Sequence, residues 1–165
     1  MNTENMERLY QEIANHVMQI IPEEWDKFLL YSEVDEERDA TFFYYYPKST
    51  NTPIYSLEIE DMEGVNEELI EAETDKLDNC LRALWNEFII NKQEAWKSVN
   101  FTLDSTGSFE INYSYDALDE YGYTFYERVT IWKYEKLGIL PKDNNSSGMR
   151  LINEHIKRVS SIKDQ

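Results

Sequence analysis

Carboxylates are the side chains this chain holds in excess, and their spacing decides what chemistry they could do. Ten lie between Glu58 and Asp78 (Glu58, Glu60, Asp61, Glu63, Glu67, Glu68, Glu71, Glu73, Asp75, Asp78) against one base, Lys76. Glu33, Asp35, Glu36, Glu37 and Asp39 form a second cluster, broken by Arg38. Paired carboxylates can serve acid–base catalysis or hold a hard cation through oxygen. Neither Asp35-Glu36-Glu37 nor Glu58-Glu60-Asp61-Glu63 has the spaced acids, central Gly and terminal Glu of a calcium loop. The other catalytic ingredients are sparse. His16 and His155 are far apart, neither with Cys or His beside it, and there is no Gly-rich phosphate loop, nucleophile elbow or His/Cys metal spacing. Cys80 lies on an apolar stripe in acidic surroundings, whereas reactive thiols need an electropositive setting, so it reads as a core thiol. The residue types therefore point to no catalytic site, no metal and no cofactor.

The formal net charge is −17 in 165 residues, yet the chain carries 7 Phe, 12 Tyr and 4 Trp. A disordered acidic segment lacks such residues, so this is a folded domain with an anionic coat. That coat repels nucleic acid and anionic membranes and attracts basic proteins. Tyr113, Tyr115, Tyr121, Tyr123 and Tyr126 are interleaved with Asp116, Asp119, Glu120 and Glu127. Carboxylates pair with Lys and Arg while phenol rings bury area and stack on guanidinium, the mixture a face for a basic protein requires. Tyr44, Tyr45 and Tyr46 cannot share one side of a strand, so at least one should be exposed or at an interface. From Lys142 onward the tail is mildly basic, with Lys142, Arg150, Lys157, Arg158 and Lys163 against Asp143, Glu154 and Asp164.

The length suits one domain, 1–165. A single cysteine, the lack of a leader-like N-terminus and apolar runs too short to span a bilayer make the cytoplasm the expected compartment, with no membrane partner. Met6, Leu9, Tyr10, Ile13, Val17, Ile20 and Ile21 recur at helical steps before Pro22, predicting a helix over about 4–21. Strands are expected over 25–34 and 40–46 around an Asp35–Asp39 turn, and a third through Ile54, Ser56, Leu57 and Ile59. A central helix carries Leu69, Ile70, Leu77, Cys80, Leu81, Leu84, Trp85, Phe88 and Ile89 largely on one stripe. A hairpin follows, with Val99, Phe101 and Leu103 alternating, a turn at Asp104-Ser105-Thr106-Gly107, and Phe109, Ile111, Tyr113 and Tyr115. Val129 to Leu137 predicts a short helix stopped by Gly138 and Pro141, and Met149, Ile152, Ile156 and Val159 a last one. The expectation is an α+β fold of order αβββα-ββ-αα, an antiparallel sheet of about five strands covered by helices.

Several segments together resemble one known family. Tyr10-Gln11-Glu12-Ile13-Ala14 followed by Ile20-Ile21-Pro22-Glu23-Glu24-Trp25 is similar to its opening. Trp96, Phe101, Asp104, Gly107 and Phe109 leading into Tyr113-Ser114-Tyr115-Asp116 are similar to its hairpin, and Trp132-Lys133-Tyr134-Glu135-Lys136-Leu137-Gly138-Ile139-Leu140-Pro141 to its closing signature. This is the YezG-like family of immunity proteins, antitoxins for toxins exported by the type VII secretion system of Gram-positive bacteria. The resemblance implies a non-enzymatic protein that binds the nuclease domain of a cognate toxin inside the producing cell, by plugging its active site or by gripping and distorting it elsewhere. It transfers no catalytic residue. Nuclease domains present basic surfaces to phosphates, so the charge argument agrees. Lys48-Ser49-Thr50-Asn51 and Asp143-Asn144-Asn145-Ser146 match no firm family pattern and are candidates for setting partner choice.

The expected partner-binding residues are Glu33, Asp35, Glu36 and Glu37 of the first turn and Asp116, Asp119, Glu120 and Tyr121 after the hairpin. The rival readings are an acidic adaptor or self-associating structural protein without a toxin partner, and a carboxylate-dependent metal hydrolase. The exposed aromatics leave room for a homodimer.

Overall fold

Phe28 and Leu30 point to one side of the first strand and Leu29 and Tyr31 to the other, and a strand apolar on both sides belongs in the middle of a sheet. The computed structural model, which describes residues 1–142 and 144–163, places it there. The order is β3-β2-β1-β4-β5, with every neighbouring pair antiparallel. The strands are β1 (Trp25–Val34), β2 (Asp39–Pro47), β3 (Ile54–Tyr55), β4 (Ser98–Asp104) and β5 (Phe109–Ser114). The helices are α1 (Glu4–Ile20), α2 (Glu67–Ile90), α3 (Phe125–Trp132) and α4 (Ser146–Lys163). The α+β class and five-stranded sheet are as expected. Asp143, counted in the tail's charge and in the Asp143–Ser146 segment, and Asp164 lie outside the described residues.

The chain divides into two compact units, Met1–Asp116 and Ala117–Gln165. In the first, Thr3 caps α1 by accepting from the Met6 amide, and Met6, Leu9, Ile13, Val17 and Ile20 form its buried stripe. Ile70, Leu77, Cys80, Leu81, Leu84, Trp85 and Phe88 of α2 join the same core, with Phe28, Leu30, Phe43, Tyr45, Val99 and Phe101 from the sheet. Phe28 stacks on Phe101 at 6.1 Å and Leu30 pairs across the sheet with both Phe43 and Phe101. On the reverse side of the strands Leu29, Tyr31, Phe42 and Tyr44 are also buried. There Tyr44 stacks on Tyr55 at 4.9 Å and burial pushes its phenol up to about 12. Of the three consecutive tyrosines only Tyr46 is part-exposed, beneath Lys27 Nζ at 5.2 Å. At the hairpin, Asp104 Oδ1 accepts from the Thr106 and Ser108 amides, and Gly107 supplies the φ of +92° that closes the turn.

The third strand is shorter than its apolar residues predict. After Tyr55 the chain winds into a 3-10 turn, Ser56–Asp61. The Ser56 hydroxyl accepts from the Phe43 amide, taking the place of the next ladder carbonyl, and the winding buries Ile59 fully while Leu57 turns outward. Leu69 and Ile89 likewise leave the α2 stripe and are exposed.

In the second unit Thr124 and Glu127 close a capping box at the start of α3. The helix passes into a π-helical turn, Lys133–Leu137, ended by Gly138 at φ +68°. Asn145 Oδ1 accepts from the Gly148 amide at the start of α4. Ile131, Leu151 and Ile152 are its buried core, with Tyr123 and Tyr134 against them.

Candidate functional site

The β1–β2 turn is built by Asp35. Its Oδ1 accepts from the amides of Glu37 (2.8 Å) and Arg38 (2.7 Å), and these bonds hold its carboxyl below the ordinary value. Arg82 on α2 then ties the turn to the helix. Its guanidinium donates to Asp35 O (2.5 Å), Arg38 O (3.1 Å) and Asp39 Oδ2 (3.2 Å) and lies 5.3 Å from the Trp85 ring. Asp35 is thus committed to the turn, and Glu36 and Glu37 stand out from it, exposed.

Beside this turn a groove of about 400 Å³ is lined by Asp35, Glu36, Glu37, Trp85, Ile89, Glu94, Ala95 and Lys97. Trp85 is 8% exposed and its indole donates to Trp96 O, so this edge of the groove is rigid; Ile89 is 50% exposed. Glu94 and Lys97 are exposed. Carboxylates thus surround one exposed aliphatic side chain, Ile89, in a mainly polar groove, a surface suited to a cationic group on an aliphatic stem.

Glu33 differs from the other expected contacts. It is 6% exposed and its Oε2 accepts from the Tyr31 hydroxyl at 2.6 Å, so β1 turns it inward. Asp116 is exposed at the end of the first unit. In the second unit Asp119, Glu120 and Tyr121 are exposed on a segment held from inside by Arg128, which donates to Leu118 O and Tyr123 O. Arg158 lies 3.9 Å from the Tyr121 ring centroid and donates to the Tyr123 hydroxyl, so one face of Tyr121 already carries a guanidinium.

The densest run of acids takes another course. Glu58, Glu60, Asp61, Glu63, Glu67, Glu68 and Glu71 are all exposed, from the 3-10 turn into the first turns of α2. The positive end of the helix dipole favours Glu67 and Glu68 there. Glu73 alone in this run meets bases, His16 Nδ1 at 2.6 Å and Lys76 Nζ at 3.4 Å; the His16 bond leads in holding its carboxyl low. Asp78 is half-buried, and burial first, then Asp39 and Asp75, push it up to about 6.

Among the described residues no three or more His, Cys, Asp or Glu side chains are grouped to hold a metal ion. His155 Nε2 pairs with Glu135 at 2.6 Å. Cys80 is buried, and desolvation with the nearby Glu12 carboxylate pushes its thiol up to about 11, a poor nucleophile. No described helix is long and apolar enough to cross a membrane.

The groove residues Trp85, Ile89, Glu94 and Lys97 were not among the expected contacts. One signal was available: Phe88 closes the buried stripe of α2, so Ile89, 100° further round, had to leave it.

The model of the family described as YezG-like immunity proteins matches residues 6–153. The chain is similar to immunity protein YezG of Bacillus subtilis (strain 168), 34% identical over 140 residues, covering 85% of this chain and 93% of that protein. Immunity protein YezG of Bacillus spizizenii (strain ATCC 23059 / NRRL B-14472 / W23) is 32% identical over 142 residues, 86% and 88% of the two chains. The type VII secretion system protein EsaG of Staphylococcus aureus (strain NCTC 8325 / PS 47) is 26% identical over 159 residues, 94% and 96% of the two.

Proposed function

The chain belongs to the YezG-like immunity protein family, and we propose that it is a cytoplasmic antitoxin that binds and neutralises a basic nuclease toxin of the type VII secretion system. It acts by occupation and not by catalysis. The observation that carries this reading is the set of exposed carboxylates on an ordered frame, Glu36, Glu37 and Glu94 in the first unit and Asp119 and Glu120 in the second, together with the run from Glu58 to Glu71. A surface of that sign matches a protein that must approach phosphates. The relative named for type VII secretion supports the choice of system. The family match over residues 6–153 runs through both units, which supports one immunity domain over 1–165.

The contacts proposed are Asp35, Glu36 and Glu37 at the β1–β2 turn and Asp116, Asp119, Glu120 and Tyr121 after the hairpin; Glu33, expected with the first group, is 6% exposed and bonded to Tyr31. The test is co-expression with the nuclease domain encoded beside its gene, co-purification, and DNA degradation measured at two salt concentrations. A tight complex with suppressed cleavage is expected. Free nuclease with unhindered cleavage would overturn the reading.

A further inference from the structure

We propose that the groove beside the β1–β2 turn receives a lysine- or arginine-bearing segment of the basic partner, the aliphatic stem lying on Ile89 and the cationic head among Glu36, Glu37 and Glu94. This rests on the reading above and selects one surface within it.

Three features set the groove apart from the rest of the anionic coat. It is concave and holds an exposed aliphatic side chain, Ile89, next to an indole edge. It is pre-organised: the Asx bonds of Asp35, the Arg82 fork and the Trp85 bond to Trp96 O fix its walls before anything binds. Its charge is unbalanced, since Glu36, Glu37 and Glu94 face one base, Lys97, and none of these four makes an ion pair within 4.0 Å among the described residues. Trp85 and Tyr121 each already carry a guanidinium of the chain, Arg82 at 5.3 Å and Arg158 at 3.9 Å, so the aliphatic contact left for a partner is Ile89. A cation held in a concave groove against an aliphatic side chain resists dissociation, while an open acidic surface chiefly speeds encounter.

The two roles separate kinetically. With the full chain and the nuclease domain encoded beside its gene, association and dissociation are recorded at low and high salt for the wild type, Glu94→Lys, Ile89→Ser, and the control pair Glu67→Lys/Glu68→Lys. The groove variants are expected to raise koff by about tenfold or more. For Ile89→Ser the effect should persist at high salt, because it removes apolar contact and no charge. The control should slow kon and leave koff within about twofold. Amide exchange of the unmutated complex is a second readout, with slowed exchange expected at 36–38 and 92–97. Groove variants that dissociate like the wild type, or no slowing in those segments, would overturn the groove while leaving the antitoxin reading intact. A wild type that fails to bind would overturn both.

Discussion

Replacing Arg82 with Ala tests how the site is held to the fold. The guanidinium reaches two main-chain oxygens, Asp35 O and Arg38 O, one carboxylate, Asp39 Oδ2, and the Trp85 ring. Net of exchange with water, each main-chain bond contributes about 0.5–1.5 kcal/mol. The Asp39 pair, between side chains 27% and 40% exposed, adds only a few tenths, ~0.3 kcal/mol. The ring contact adds roughly 0.5 kcal/mol. These groups act as one unit and do not sum independently, so the expected loss is about 2 kcal/mol. In a chain of 165 residues that is a fall in Tm of roughly 4–8 °C. Arg82→Lys keeps the charge but cannot fork to three acceptors, and should restore less than half. Urea unfolding followed by tryptophan fluorescence gives the stability, and amide exchange at Glu37 and Arg38 reports the turn. A loss under ~0.5 kcal/mol, or full restoration by Lys, would refute the view that the fork holds the turn.

Three further outcomes follow from the same structure. Leu84 is fully buried in the C-terminal half of α2, and Leu84→Ala should cost about 3 kcal/mol in urea unfolding, a loss below ~1.5 showing that the surrounding core collapses into the space. The folded Asp78 carboxyl, at about 6, lies above its unfolded value of 3.8, so the folded chain binds a proton that the unfolded chain has already released. This site therefore opposes folding above pH 6 and ceases to do so as pH falls through the interval, and Asp78→Asn should gain about 1 kcal/mol at pH 7.5, after allowance for solvent screening, with the gain fading toward pH 4. Cys80, with its thiol near 11, should react with iodoacetamide at pH 7.5 about a hundredfold slower than a free thiol until urea unfolds the chain, and fast alkylation of the folded protein would contradict its burial.

The elements most legible in the sequence are those whose pattern repeats. Met6, Leu9, Ile13, Val17 and Ile20 state the stripe of α1 several times over, and the acidic turn between two aromatic runs marks β1 and β2 without tertiary information. The end of β3 was not legible, because it depends on one hydroxyl: Ser56 bonds the Phe43 amide and turns the chain out of the ladder. The site shows the same division. Composition reveals that acids are plentiful, but not that Asp35 is occupied within its own turn, that β1 directs Glu33 inward, or that Arg158 lies on Tyr121. The groove brings together residues near 36, 85, 89 and 94, and only the packing of α2 against the β1–β2 turn makes them neighbours.

That packing also bears on why so many carboxylates stay uncompensated in a chain of charge −17. Two arginines that could neutralise acids are directed mainly to the main chain, a hydroxyl and rings. Arg82 bonds two carbonyls before it meets Asp39, and Arg158 bonds the Tyr123 hydroxyl and lies on Tyr121. Each guanidinium fastens an acidic segment from behind, so the segment is rigid while its carboxylates still point to solvent. Like charges held in fixed positions repel one another more than charges on a mobile chain, which can spread apart, and that repulsion opposes folding. Docking of the proposed cationic partner would relieve it, so an arrangement that costs stability in the free protein would favour the complex. Turned outward onto the glutamates, those arginines would relieve the repulsion; here they hold the turn and the Tyr121 segment in shape, and the neighbouring acids stay exposed, as the proposed function requires.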